Sequence, residues 1–383
     1  MKNIILIFLL AISCSTFSQT IRRCNNNPGV TGINVYTTIQ AAHDASVAGD
    51  IIYVEPSATD YGALIGIKRL TIIGNGYFIA ENRSTNTPQD QKNSIVSSIT
   101  LNSGASNTKI VGITIPITSG ITVNAENVQI ERCQLPLIYL GYIAATGNNY
   151  TNAGDNVLIR GCFFTSYNSN VPIIQGSFVP NGTNGGGGSL FRKINNATII
   201  NNITSSGTSS VLYFRFVGNM QNSLIKNNTV INGLSANNNA SPSDYKMEGC
   251  TFNDNIVIGG NNGSVINPYN ISCIFSNNVQ LCSACTNNYF PTGNGNQNNI
   301  APNTYFTAST SGAIDVDYKA IQLINSPGLT AGSGGGQVGA FGGTTPYILS
   351  GLASYPIITT FTTSIVGNPT TPLSVNITVR GNN

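Results

Sequence analysis

The sequence predicts an all-β solenoid, a stack of coils joined by loops of unequal length. Three observations carry that expectation: a recurring phrase, apolar runs of only a few residues, and turn-forming residues between them. The phrase reads Asn-x-x-Ile-x-x-Asn (or Cys), followed two places on by an apolar residue or Thr. With its Ile as reference, it recurs at Ile110, Ile130, Ile159, Ile199 and Ile225, with looser copies at Phe252 and Ile274. Three residues later stand Ile113, Cys133, Cys162, Asn202, Asn228, Asn255 and Asn277, and two further on Ile115, Leu135, Phe164, Thr204, Val230, Val257 and Val279. Successive reference residues are 20, 29, 40, 26, 27 and 22 positions apart. A self-similar unit of this size with variable insertions signals coils that bury their apolar sides against one another.

Composition agrees. Of 383 residues, 40% are hydrophobic and only 8% charged, against about 25% charged in an average globular chain. Gly, Asn, Ser and Thr fill the difference, and the Ile- and Val-rich runs read as short strands joined by many turns. The net charge of +3 is small and dispersed, and no basic cluster interleaves with aromatics, so nucleic acid is not an expected partner.

Residues 1–18 read as a signal peptide: Lys2 is the positive start, Ile4 to Ile12 the apolar core, and Thr16 and Ser18 allow cleavage before Gln19. Cys14 after Ala11-Ile12-Ser13 permits a lipoprotein reading, although Ala11 stands where Leu is expected. No later segment is long and apolar enough to be transmembrane. The expected location is secreted or on the outer cell surface. Seven cysteines remain after the signal, an odd number for an oxidising compartment. Cys133 and Cys162 share a repeat position and are expected inside. Cys273, Cys282 and Cys285 can supply one disulfide, and zinc is the competing use of Cys282-Ser-Ala-Cys285, although no second ligand pair accompanies it and the only His, His43, is distant.

Residues 36–80 read in order as helix, strand, turn and strand. Thr37 or Thr38 can cap a helix in which Ile39, Ala42 and Val47 make the apolar side, and Gly49-Asp50 ends it. Strands follow at Ile51–Val54 and Leu70–Asn75, with Asn75 in the polar repeat position. An amphipathic helix here covers the first coil. The runs Tyr36-Thr37-Thr38-Ile39-Gln40-Ala41-Ala42, Ala48-Gly49-Asp50-Ile51-Ile52-Tyr53-Val54 and Leu70-Thr71-Ile72-Ile73-Gly74 resemble the entry segment of right-handed parallel β-helix proteins of the pectate-lyase-like superfamily. With the later repeats the resemblance covers roughly residues 34 to 345. It implies a right-handed parallel β-helix with an N-terminal capping helix. It says less about activity, because lyases, hydrolases, epimerases and adhesins share such an entry.

In that fold the reference Ile points inward, the next residue points out, and a bend follows. The Asn after the bend turns inward and ladders with its neighbours one coil away, at the strand spacing of about 4.8 Å. Gly112, Gly161, Asn201, Asn227 and Asp254 fill the bend, residue types that tolerate positive φ. The Asn series is therefore scaffold. Variable insertions fall at 137–155, 165–195, 205–221 and 231–249, and loops from the same point of successive coils can wall a groove. The Asn184–Ser189 loop is no phosphate cradle, since no Gly-Lys-Ser/Thr follows. Residues 312–346 read as the last coil and its closure. The β-helix domain thus spans 19–346, and a β tail spans 347–383 with strands at Ile357–Thr363 and Leu373–Val379. That tail is an edge hairpin on the solenoid or part of a sorting or anchoring element.

Catalytic signatures are sparse. His43 with Asp44 reads as a surface residue on the cap helix, no Gly-x-Ser-x-Gly elbow is present, and Asp315-Val-Asp317, the only Asp-x-Asp, reads as turn and cap. The Asp-His and Arg-x-Pro-x-x-Arg signatures associated with pectate lyases are missing. Alternation in Val211–Phe216 puts Tyr213 and Arg215 opposite Leu212, Phe214 and Phe216, while Asp244, Lys246 and Glu248 share one face of the following unit. On adjacent coils these five would form an outward patch, with Arg192 and Lys193 at its border. A Tyr platform with cations and carboxylates suits sugar, and Lys246 or Tyr213 could abstract a proton with Arg215 beside them. The bland reading is cross-coil ion pairing, and Glu131 with Arg160 reads as such a surface pair.

The expected function is polysaccharide engagement in a lateral groove, by binding or by lyase-like cleavage, from a monomer. No cofactor is expected, unless a lyase recruits Ca²⁺ to offset a uronate carboxylate. The rival is a non-catalytic, adhesin-like surface scaffold. Ice binding is a weaker third, because Thr does not recur at outward positions.

Overall fold

The phrase resolves into a three-residue strand held between two left-handed bends. Its first residue is one bend: Asn107, Asn127, Asn156, Asn196, Asn222, Gly249 and Ser272 all have φ between 50° and 65°. The residue before the polar position is the other: Gly112, Arg132, Gly161, Asn201, Asn227, Asp254 and Asn277 have φ between 52° and 68°. Gly and Asn reach this region at little steric cost, which is why they punctuate the repeat.

The computed structural model describes residues 19–82, 90–141, 152–165, 173–176, 193–205, 216–231, 247–259, 270–283, 285, 288–306, 314–353, 356–363, 370 and 373–381. The described strands form parallel sheets of 11, 7, 6 and 4 strands, plus one antiparallel pair, Ile357–Thr363 with Val375–Arg380. From Ile51 onward each parallel sheet adds strands in sequence order, and the chain visits the other sheets between additions. After Gln129–Glu131 in the first sheet it enters the second at Gln134–Leu135 and the third at Ile138–Leu140. It then rejoins the first at Leu158–Arg160. The fourth sheet, from Ile194–Asn195 to Asn270–Ile271, follows the third in later coils. This rotation is compatible with a solenoid.

The first sheet's inward column runs Ile52, Ile72, Ile110, Ile130, Ile159, Ile199, Ile225, Phe252, Phe275. All are buried, and each full burial of such a side chain is worth about 1.5–3 kcal/mol. The last member corrects the repeat. Ile274 is 58% exposed and Phe275 6%, so the inward residue lies one place later and stacks on Phe252 at 4.7 Å.

The polar position shifts with it: Asn277 is the bend, and Asn278 belongs to the ladder. Asn202, Asn228, Asn255, Asn278 and Asn296 form a continuous series. Each of the first four donates its backbone N–H (2.9–3.0 Å) and its Nδ2 (2.9–3.0 Å) to the next residue's Oδ1. Each Nδ2 also donates to a backbone carbonyl of the preceding coil, for instance Asn255 to Ile225 O at 2.9 Å. Cys162 N–H donates to Asn202 Oδ1 at 2.9 Å and Cys133 stands one coil earlier, so the cysteines continue the column as buried thiols. Cys282 and Cys285 form the disulfide, which leaves Cys273 free.

At the N-terminal end the helix Ile39–Ala45 packs Ile39 and Ala42 inward, and Thr38 Oγ1 caps it by accepting from Ala41 N. Val47 lies beyond the helix and is 59% exposed, because the helix ends at Ala45, two residues before it. His43 is no surface residue. It is 1% exposed, its Nε2 accepts from Ile67 N at 3.1 Å, and its Nδ1 pairs with Asp44 at 2.9 Å.

Residues 314–353 do not stack as a last coil. They run back along the line of bends. Ser333 N and Oγ donate to Asp254 Oδ1, Asn227 Nδ2 donates to Gln337 O, and Asn201 Nδ2 donates to Ala340 O and Gly342 O at 2.8 Å each. Arg132 then donates to Leu352 O at 2.5 Å, and Ala353 packs on Ile73 and Val111. Gly342 makes the close approach possible, since a Cβ there would stand 1.9 Å from Gln337 O.

Candidate functional site

Outward positions of the third sheet form the row Ile65, Thr100, Thr122, Tyr139, Gln175, Gly218. Alternation sets it opposite the buried column Leu64, Ile99, Ile121, Ile138, Ile174, Val217. The middle of the row is polar: two threonines, then Tyr139, half-buried, then Gln175. Gln175 points outward yet is only 4% exposed, and its Oε1 is a buried acceptor without a hydrogen-bond partner. One more such acceptor, Asn124 Oδ1, lies just after the strand Ile121–Val123. A buried acceptor left unmade costs roughly 1–3 kcal/mol. The long variable insertions of the sequence enter or leave at these same strands, at 137–155, 165–195 and 205–221.

Of the residues singled out from sequence, Tyr213, Arg215, Asp244, Lys246 and Arg192 lie outside the described residues. Lys193 and Glu248 are described and form an ion pair across the fourth sheet, where Asn195, Gln221 and Glu248 share one register row. Phe216 is buried, edge-on to Phe164 at 5.5 Å, and leads into the third-sheet strand Val217–Gly218. Among the described strands the only carboxylates are Glu131 and Glu248, and both are ion-paired.

Glu131 is not a surface residue. It is 3% exposed and bridges Lys109 (3.0 Å) and Arg160 (2.5 Å). Burial raises its pKa, but the bonds to Arg160 and Lys109 outweigh it and hold the carboxyl below its usual range.

A second polar cluster is buried where residues 314–353 meet the early coils. Tyr77 Oη lies 2.6 Å from Tyr347 Oη, and Tyr347 donates to Asp317 Oδ2 at 3.2 Å. Ser350 N (2.8 Å) and Asn82 Nδ2 (2.7 Å) donate to the same carboxylate. Burial pushes Asp317 up and both tyrosines well up. These groups tie distant segments together, so the aspartate read as a turn residue is a tertiary anchor. Sequence reasoning missed the Tyr139–Gln175 row because it sought charge, and these outward residues are neutral; the strand phrase Ile138-Tyr139-Leu140 is the signal that was available. Among the described residues no group of three or more His, Cys, Asp or Glu is placed to hold a metal ion. No described helix is long and apolar enough to cross a membrane.

No protein-family model matches the chain, and no curated protein matches it.

Proposed function

We propose that this chain is a right-handed parallel β-helix that binds polysaccharide along the outer face of its third sheet. The observation that carries the reading is the outward row Thr100, Thr122 and Tyr139, each partly exposed, with Gln175 in register beside Tyr139. Sugars offer hydroxyls to Thr and Tyr side chains and apolar ring faces to a Tyr. Rows one coil apart repeat at about 4.8 Å, so one extended chain can meet several of them in turn. Resemblance of the entry segment to pectate-lyase-like proteins supports the same ligand class as a fold-level analogy. Binding is favoured over cleavage because, among the described strands, both carboxylates are already paired with cations.

Affinity electrophoresis of the protein lacking residues 1–18 through gels containing uronate or neutral polysaccharides tests this. Retardation by at least one polymer is expected, reduced at least tenfold in affinity by Gln175→Ala and by Tyr139→Ala. Absorbance of unsaturated products in the same mixtures reports lyase activity, with and without Ca²⁺. No retardation by any polymer removes the reading and leaves the scaffold.

A further inference from the structure

The geometry points to Cys250 and Cys273 as an oxidation site, a thiol pair that closes a cross-coil disulfide when a small disulfide such as oxidised glutathione reaches Cys273. Pairing of Thr251 with Ile274 and Phe252 with Phe275 sets the two cysteines directly over one another on neighbouring strands. Each follows a left-handed bend, Gly249 (φ 59°) and Ser272 (φ 53°), so their backbones leave the corner in the same direction. They continue a column of small residues, Ala197 and Ser223, at the same corner. Ser223 Oγ donates to the carbonyl two residues back, Gln221 O, at 2.8 Å. Both thiols copy that contact, Cys250 Sγ with Glu248 O at 3.5 Å and Cys273 Sγ with Ile271 O at 3.6 Å. The side chains therefore lie parallel, one coil apart. Adjacent strands are about 4.8 Å apart, within the roughly 4.4–6.8 Å Cα separation that a disulfide bridges.

Access differs between the two. Cys250 is buried, whereas Cys273 precedes the terminal strand of the first sheet and is only partly covered. The Cys250 thiol hydrogen-bonds Cys273, which lowers the Cys273 pKa and raises that of Cys250. Cys273 is thus the first nucleophile. Its thiolate attacks one sulfur of the glutathione disulfide and expels a glutathione thiolate. Cys250 then gives its proton to water and attacks Cys273 Sγ, expelling the second glutathione thiolate. Two protein thiols are oxidised, and one glutathione disulfide is reduced to two thiols. Cys133 and Cys162 are stacked in the same way but both fully buried, and they provide the internal comparison.

The test incubates the folded chain with oxidised glutathione, blocks remaining thiols under denaturing conditions and maps non-reduced chymotryptic peptides. Cleavage after Phe252, Tyr269 and Phe275 separates Cys250 from Cys273 and both from the Cys282–Cys285 pair. Linked Cys250–Cys273 peptides are expected, with Cys133 and Cys162 still blocked as thiols. In Cys250→Ser, Cys273 is expected to stop at the glutathione mixed disulfide. Three results each overturn the proposal: a persistent mixed disulfide on Cys273 in the unsubstituted chain, no change at either residue, or equal oxidation of Cys133 and Cys162. The outcome is independent of polysaccharide binding.

Discussion

Truncating one rung of the amide ladder measures how much of this fold the recurring Asn supports. Asn228 is the informative rung. Its Oδ1 accepts from Asn202 N at 3.0 Å and Asn202 Nδ2 at 2.9 Å, while its Nδ2 reaches Ile199 O, Lys226 O and Asn255 Oδ1. Asn228→Ala takes the acceptor from two buried donors of Asn202, at roughly 1–3 kcal/mol each, or about 2–6 kcal/mol together. Asn376→Ala, on the exposed face of the C-terminal hairpin, is the control and is expected within about 0.5 kcal/mol of the parent. Because the chain has no Trp, far-UV circular dichroism in urea is the readout, with midpoints compared at equal slope. Asn228→Leu separates polarity from volume, since it refills the space but leaves the same donors unpaired. The ladder argument fails if Leu restores the parent midpoint, or if Asn228→Ala and Asn376→Ala unfold together.

Three further outcomes follow from the buried charges and the returning segment. Glu131 has its carboxyl held below the ordinary 4.5, so its stabilisation is present above that value and is lost as pH falls through the lower folded value. Thermal melts on acidification below about pH 4.5 should therefore cost the parent more than Glu131→Gln, which has no charge to lose. Asp317 has the opposite sign: its folded pKa is raised above 3.8, so stability is highest below that value and falls as pH rises through the folded value. Asp317→Asn should gain on the parent across that interval, and melts at several pH values from acid to neutral check it. Gly342→Ala drives a Cβ to 1.9 Å from Gln337 O and 2.7 Å from Asn227 Nδ2, so residues 337–345 must lift from the bends. Hydrogen exchange at Gly339 N and Tyr347 N should accelerate at least tenfold, with the Asn228 rung unchanged.

Much of the architecture was legible because it is written in local residue types. A bend at positive φ selects Asn or Gly, an inward strand position selects Ile, and a rung selects an amide, so the phrase exposes strand, bend and ladder together. The reading slipped at Ile274 and Asn277, where Phe275 and Asn278 take the inward places. The bend moved by one residue there, and neighbouring Ile and Asn fit either register by type. Glu131 and His43 read as surface residues and Asp317 as a turn residue, because charge and polarity usually mark the surface. Each is covered by a segment or partner brought from elsewhere in the sequence or the fold.

What the sequence by itself determined about this protein is its repeating strand unit, its capping helix, its all-β character and two strands in its C-terminal tail. These follow from constraints that act within a few residues. Only the tertiary structure decided that residues 314–353 run back over the bends, that Asp317 is an anchor, and that Tyr139 and Gln175 share one outward row with an unmet acceptor. The physical reason is that Gly- and Ser-rich segments carry little directional preference of their own. Their path is set by the carbonyls and amides that the stacked bends present, and those exist only once the coils have assembled.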